Sequence, residues 1–113
     1  MPVLATAIDN DQGLVLVTIE YRLAPTRDQD KFLPLLERLM HERGRDGAYA
    51  WCIYEDTAEP RSFLETFLVE SWLEHLRQHK RVTNADRLLQ DHIHLLLDSP
   101  PVVRHLFTAE PGS

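Results

Sequence analysis

Three segments of this chain alternate in the two-residue rhythm of a strand, yet carry large apolar groups in both phases. In residues 62–70, Phe63, Phe67 and Val69 alternate with Leu64 and Leu68. In residues 102–108, Val103 and Phe107 alternate with Val102 and Leu106. Residues 48–55 do the same, with Tyr49, Trp51 and Ile53 in one phase and Ala50, Cys52 and Tyr54 in the other. Successive side chains of a strand point to opposite faces of its sheet, so these strands are expected to be covered on both. A fourth segment, residues 14–23, is one-sided: Val15, Val17, Ile19, Tyr21 and Leu23 face one way, and Thr18, Glu20 and Arg22 the other.

Helical patterning separates these strands. Phe32, Leu35, Leu36, Leu39 and Met40 make one apolar stripe behind a capping residue at Thr26 or Asp28, and Gly44 and Gly47 close the helix. Pro34 conflicts with this helix locally. Unless the helix starts late enough to place Pro34 in its first turn, a kink is expected near Asp30. Ser71 and Glu74 form a capping box for a short helix reaching about His79. Thr83 caps a further helix, with Ala85, Leu88, Leu89, Ile93 and Leu96 as its buried stripe, ended by Pro100 and Pro101.

The order is strand, helix, strand, strand, helix, strand. It predicts an α+β fold of the ferredoxin-like βαββαβ type, an antiparallel sheet with helices on one face. The second face would then expose apolar area on the order of several hundred Å², more than monomers usually carry. A second copy of the chain is expected to cover it, making a homodimeric α+β barrel. With 113 residues there is room for one domain, placed at 14–108. Residues 1–13 read as a leader or an extra strand, and 109–113 as a tail.

A composition of 43% hydrophobic and 27% charged residues excludes a disordered chain. The net charge of −6 argues against nucleic acid or anionic lipid as partner. Cys52 is the only cysteine, so an intramolecular disulfide and a Cys-based zinc site are excluded, which fits a reducing compartment. No apolar run is long enough for membrane insertion, and residues 1–13 lack the regions of a signal peptide, so a cytoplasmic location is expected. A Gly-rich phosphate loop, a nucleophile elbow and cofactor motifs are all absent from the sequence, and no cofactor is expected.

Chemistry concentrates in residues 65–79. On the short helix expected there, Trp72, His75, Leu76 and His79 share one face. His75 and His79 have the spacing to grip a divalent metal, but no third ligand follows at a suitable spacing; equally, they edge an apolar face. A third reading makes His75 a general acid or base beside an aromatic substrate stacked on Trp72. Glu20 and Arg22, with Thr18, would be polar fittings of a pocket if their face lines the dimer barrel, or else partners in an ion pair. Glu65 interrupts the apolar run between Phe63 and Phe67 and admits the same two readings. Burial of a carboxyl favours its neutral form, which a proton-transfer site uses. His105 reads as a core histidine and Cys52 as an inert thiol.

The run Leu14-Val15-Leu16-Val17-Thr18-Ile19-Glu20-Tyr21-Arg22, the turn Asp46-Gly47-Ala48-Tyr49-Ala50-Trp51 and the stretch 65–83 together resemble a known family. They are similar to the small soluble domain at the C-terminus of major-facilitator exporters of the transmembrane secretion effector family. That domain resembles the antibiotic biosynthesis monooxygenase superfamily of dimeric α+β barrels, across nearly the whole chain. The resemblance implies oxidation of a small aromatic or quinone-like compound by O₂ without a cofactor. Trp72 and His75 would be the catalytic residues, with Glu20, Arg22, Glu65 and His79 contacting substrate. The superfamily's pocket usually adds an Asn, whereas this sequence has only Asn10 and Asn84, neither on a strand expected to line a pocket. The alternative is a noncatalytic dimeric module for ligand binding or assembly, associated with an exporter.

Overall fold

The computed structural model describes residues 14–71 and 84–109. The expectations for residues 1–13, the short helix with Trp72, His75 and His79, and the end of the tail lie outside the described residues. Four strands form one sheet: β1 (Val15–Arg22), β2 (Tyr49–Glu55), β3 (Ser62–Val69) and β4 (Val102–Phe107). Their order is β2-β3-β1-β4, with each neighbouring pair antiparallel. Helices α1 (Gln29–Arg45) and α2 (Asn84–Leu95) pack on one face. This is the ferredoxin-like α+β arrangement that the strand and helix order predicts.

The core follows from the one-sided alternation of β1. Val15, Val17, Ile19, Tyr21 and Leu23 are all buried, against Phe32, Leu35, Leu36 and Leu39 of α1 and Leu89 and Ile93 of α2. Register sets β3 beside them: Val17 lies opposite Phe67, Ile19 opposite Glu65 and Tyr21 opposite Phe63. Phe32 links the layers, its ring 5.8 Å from Tyr21 and 5.5 Å from Phe63.

α1 starts where its cap requires, with Asp28 accepting a 2.9 Å hydrogen bond from the Asp30 N–H. Pro34 is therefore not in the first turn, and the helix continues through it to Arg45. Its ring nitrogen has no hydrogen for the Asp30 carbonyl, which sits on an exposed residue where water can serve it. Gly44 remains inside α1. The turn into β2 rests on Gly47 alone, at φ +93°. In α2 the expected stripe is narrower than predicted. Leu88 is 69% exposed, because the buried residues Leu89 and Ile93 lie four apart and Leu88 stands about 100° round the helix from Leu89.

β2 corrects a second expectation. Tyr49 pairs with Leu68 and Cys52 with Thr66, so β2 spends three steps where β3 spends two. The extra residue is a bulge, and Ala50 takes φ +54° to form it. Past the bulge, Trp51 and Ile53 pack towards the helices as predicted, but Tyr49 is turned to the other face with Cys52 and Tyr54. That face carries Leu14, Leu64, Leu68, Val102 and Leu106 as well, and no described helix covers it. Left-handed backbone at a non-glycine residue carries strain of about 1 kcal/mol. Ala50→Gly is therefore expected to raise stability by about 0.5–1 kcal/mol, seen as a higher urea midpoint with an unchanged m-value.

Candidate functional site

Glu65 stands at the centre of β3 on the helix-facing side and is 0% exposed. Charge in that position needs partners, and three elements supply them. The Tyr21 hydroxyl of β1 donates to Oε1 at 2.7 Å, and the Trp51 indole N–H of β2 donates to Oε2 at 2.8 Å. Arg43 of α1 donates twice, from Nε to Oε2 at 2.6 Å and from Nη2 to Oε1 at 3.2 Å. This two-pronged contact holds the guanidinium plane, and the Phe67 ring 4.9 Å away supports it from one side.

Burial lowers the Arg43 pKa, but the Glu65 charge and its hydrogen bonds outweigh that, and the net shift is upward. Arg43 therefore stays charged beside Glu65. Burial first, and the Glu65 charge second, push the Tyr21 phenol well above its ordinary range. It remains a neutral donor.

Beside this cluster lies a cavity of about 190 Å³ between the sheet and the helices. Val17, Ile19, Leu39, Phe67, Ile93 and Val103 give it apolar walls. Arg43, Tyr21, Gln90, His94 and His105 bring polar groups to its lining. A second, more open depression of about 400 Å³ lies at the other end of the sheet, where Glu20, Arg22, Tyr54, Ser62, Leu64 and Val102 meet.

The residues singled out from sequence thus separate. Glu65 is on the helix side and is fully engaged by Tyr21, Arg43 and Trp51. Glu20 and Arg22 are exposed on the opposite side, in the open depression. Trp72, His75 and His79 lie outside the described residues, following β3, whose Phe67 lines the cavity. Among the described residues, no three His, Cys, Asp or Glu side chains gather as a metal site. No helix among them is long and apolar enough to cross a membrane.

Sequence reasoning passed over Arg43, although a signal was there. Phe32, Leu36, Leu39 and Arg43 fall at i, i+4, i+7 and i+11, so a cation extends the buried stripe of α1. Matched with the carboxylate that interrupts β3, it forms a complementary pair between the two core faces.

Tyr21→Phe leaves the buried carboxylate one donor short and is expected to cost about 1–3 kcal/mol at neutral pH, measured by urea denaturation. The folded state also keeps a phenolic proton that the unfolded chain releases near pH 10. Stability from this group is thus complete below that pH. It is expected to fall above it by up to about 1.4 kcal/mol per pH unit, and Tyr21→Phe should remove that part of the slope.

The profile of the family described as transmembrane secretion effector matches residues 1–112. No protein of curated function matches the sequence significantly. Solved structures do match by fold. A Bordetella bronchiseptica protein assigned to the antibiotic biosynthesis monooxygenases aligns with a TM-score of 0.73 at 14% identity, over 88% of this chain and 100% of its own. A Caulobacter crescentus protein with the same assignment gives 0.72 at 16% identity, over 89% and 94%. SnoaB, a cofactor-independent oxygenase from Streptomyces nogalater, gives 0.68 at 10% identity, over 87% and 97%. Likeness at such identities is one of fold. The profile match spans all but the last residue, so the chain belongs to the transmembrane secretion effector family, on an α+β fold shared with the antibiotic biosynthesis monooxygenases.

Proposed function

We propose that this chain is a cofactor-independent monooxygenase-like protein acting on a small aromatic or quinone-like compound. The observation that carries this reading is the cavity between sheet and helices, whose apolar walls meet the imidazoles of His94 and His105. An apolar cavity of about 150 Å³ takes up benzene, so about 190 Å³ suits one or two fused rings. A protein without a redox centre can promote such a reaction only by desolvating, orienting and deprotonating a substrate that already reduces O₂ readily.

A naphthol illustrates the balance. Its hydroxyl proton goes to a base, and the electron-rich ring carbon opposite is oxidised by O₂. That C–H becomes the second carbonyl of a quinone, one oxygen atom enters the product, and the other leaves as water. Trp72 would stack on the ring and His75 would take the proton, as the family resemblance implies. His105 is a further candidate base, because its imidazole stands at the cavity wall.

The same domain works as a homodimer in this proposal. The uncovered sheet face carries Tyr54, Val102 and Leu106, the last 45% exposed. A second copy is the natural cover for a face so apolar. Glu20 and Arg22 would then sit at the rim of the barrel interior. The domain functions in the cytoplasm, alone or against an exporter.

A second reading is a noncatalytic module for ligand binding or assembly. Two observations favour it: every oxygen of Glu65 is engaged, which withdraws that carboxylate from proton transfer, and Asn84 opens α2 rather than sitting on a strand.

Oxygen uptake by the full chain on naphthols and anthrones separates the two readings. Turnover that His75→Ala lowers at least tenfold is expected for the oxygenase. Binding of the same compounds without uptake would establish the module instead. For the dimer, Leu106→Glu places a charge on the sheet face while sparing the intrachain core. It is expected to halve the sedimenting mass with secondary structure retained; an unchanged mass would discard this interface.

A further inference from the structure

The charge balance at the cavity is unusual. Arg43 brings one positive charge to its lining, but Glu65 already cancels it within hydrogen-bonding distance. Tyr21 and Trp51 are neutral donors, and each is committed to the same carboxylate. A guanidinium has five N–H bonds. Two of those on Arg43 go to Glu65, the guanidinium also lies within hydrogen-bonding reach of the Tyr21 hydroxyl, and Arg43 stands at the cavity lining with donors to spare. The Arg43–Glu65 fork, backed by Phe67, fixes the plane in which these remaining donors lie. A neutral acceptor can be bonded there, but a further negative charge is not favoured. A carboxylate entering this apolar cavity would be desolvated beside a cation already neutralised, with Glu65 repelling it.

Resting on the cavity reading above, we infer that Arg43 is a specificity-determining residue of this site, donating to a neutral carbonyl oxygen. Glu65 acts through it as a positioning residue that sets the charge at zero. Together they select an aryl ketone or quinone over an aryl carboxylate of the same shape. Such selection suits a site meant to hold carbonyl-bearing ring compounds while excluding the aromatic acids of the cell.

The test uses three probes with one ring system: naphthalene, acetylnaphthalene and naphthoate. The last two differ only in a methyl group against a charged oxygen, and none of them alkylates the exposed Cys52. Calorimetric titration of the full chain is expected to rank acetylnaphthalene about tenfold tighter than naphthalene, the worth of a charge-assisted hydrogen bond, with naphthoate weakest. Glu65→Gln leaves Arg43 uncancelled and is expected to reverse the order of ketone and acid, with naphthoate gaining at least about tenfold.

Arg43→Lys keeps the charge pair but loses the fork, and is expected to bring acetylnaphthalene down to the affinity of naphthalene. It serves as the deciding variant if Glu65→Gln does not fold. A folded Glu65→Gln protein with the original ranking would overturn the inference. So would equal affinity of the parent chain for acetylnaphthalene and naphthalene, and either result leaves the cavity reading standing. Failure of all three probes to bind the parent chain would overturn the inference and the cavity reading together.

Discussion

The carboxylate of Glu65 is the fixed point around which this domain is arranged. It accepts hydrogen bonds from β1, α1 and β2 while standing on β3 itself, so one side chain joins four of the six described elements. Apolar packing alone is non-directional and tolerates small slides between layers. A buried anion does not. Its desolvation costs several kcal/mol, and only donors in good geometry recover that cost. The Arg43 fork therefore dictates how far along the sheet the end of α1 must lie, and Trp51 dictates which phase of β2 faces inward. The same bonds hold Arg43 and Tyr21 at the cavity lining, so the requirement for a satisfied core carboxylate shapes the site.

The bulge in β2 follows from this constraint. α1 ends at Arg45, and Gly47 turns the chain at once into the strand. From that entry point Tyr49 reaches β3 opposite Leu68, on the uncovered face. A regular strand would then put Trp51 on that face too, since residues two apart share a side. One extra residue at Ala50 changes the phase and delivers the indole to Glu65. The strain of left-handed backbone at an alanine is small beside the cost of leaving a core carboxylate short of a donor.

These two features also mark how far the sequence could be read. The strands were legible because each alternates over six residues or more, and their order then leaves few topologies open. α1 was legible from its stripe, but its continuation through Pro34 was not, since local propensity cannot show that solvent will serve the orphaned carbonyl. The face of Tyr49 was misread because the usual markers of positive φ, glycine or asparagine, are absent at Ala50. Glu65 stood out as a charge in an apolar run, and Arg43 did not, because a cation near a helix end is ordinarily read as a solvated favourable partner of the helix dipole. Only the pairing of the two anomalies identifies it. Glu20 and Arg22 stand apart from Glu65 for a simpler reason. In strand numbering they share no face, and the sheet stands between them.

That separation has a consequence for how the domain can work. β1 is one of the two inner strands, and its neighbours Glu20 and Tyr21 point to opposite sides, one to the uncovered face and one to the charge cluster beside the cavity. A partner seated on the uncovered sheet face would leave the cavity lining in place, because that lining lies on the opposite, helix-covered side. The uncovered sheet face and the cavity are thus lined by different side chains of the same strands. A domain built this way can dimerise, or dock against another protein through the sheet, without giving up its internal site. Glu65 and its partners hold the fold whether or not the cavity is used. The Arg43–Glu65 pair connects the two sides of this arrangement, because it ties α1 to β3 and holds Arg43 at the cavity lining.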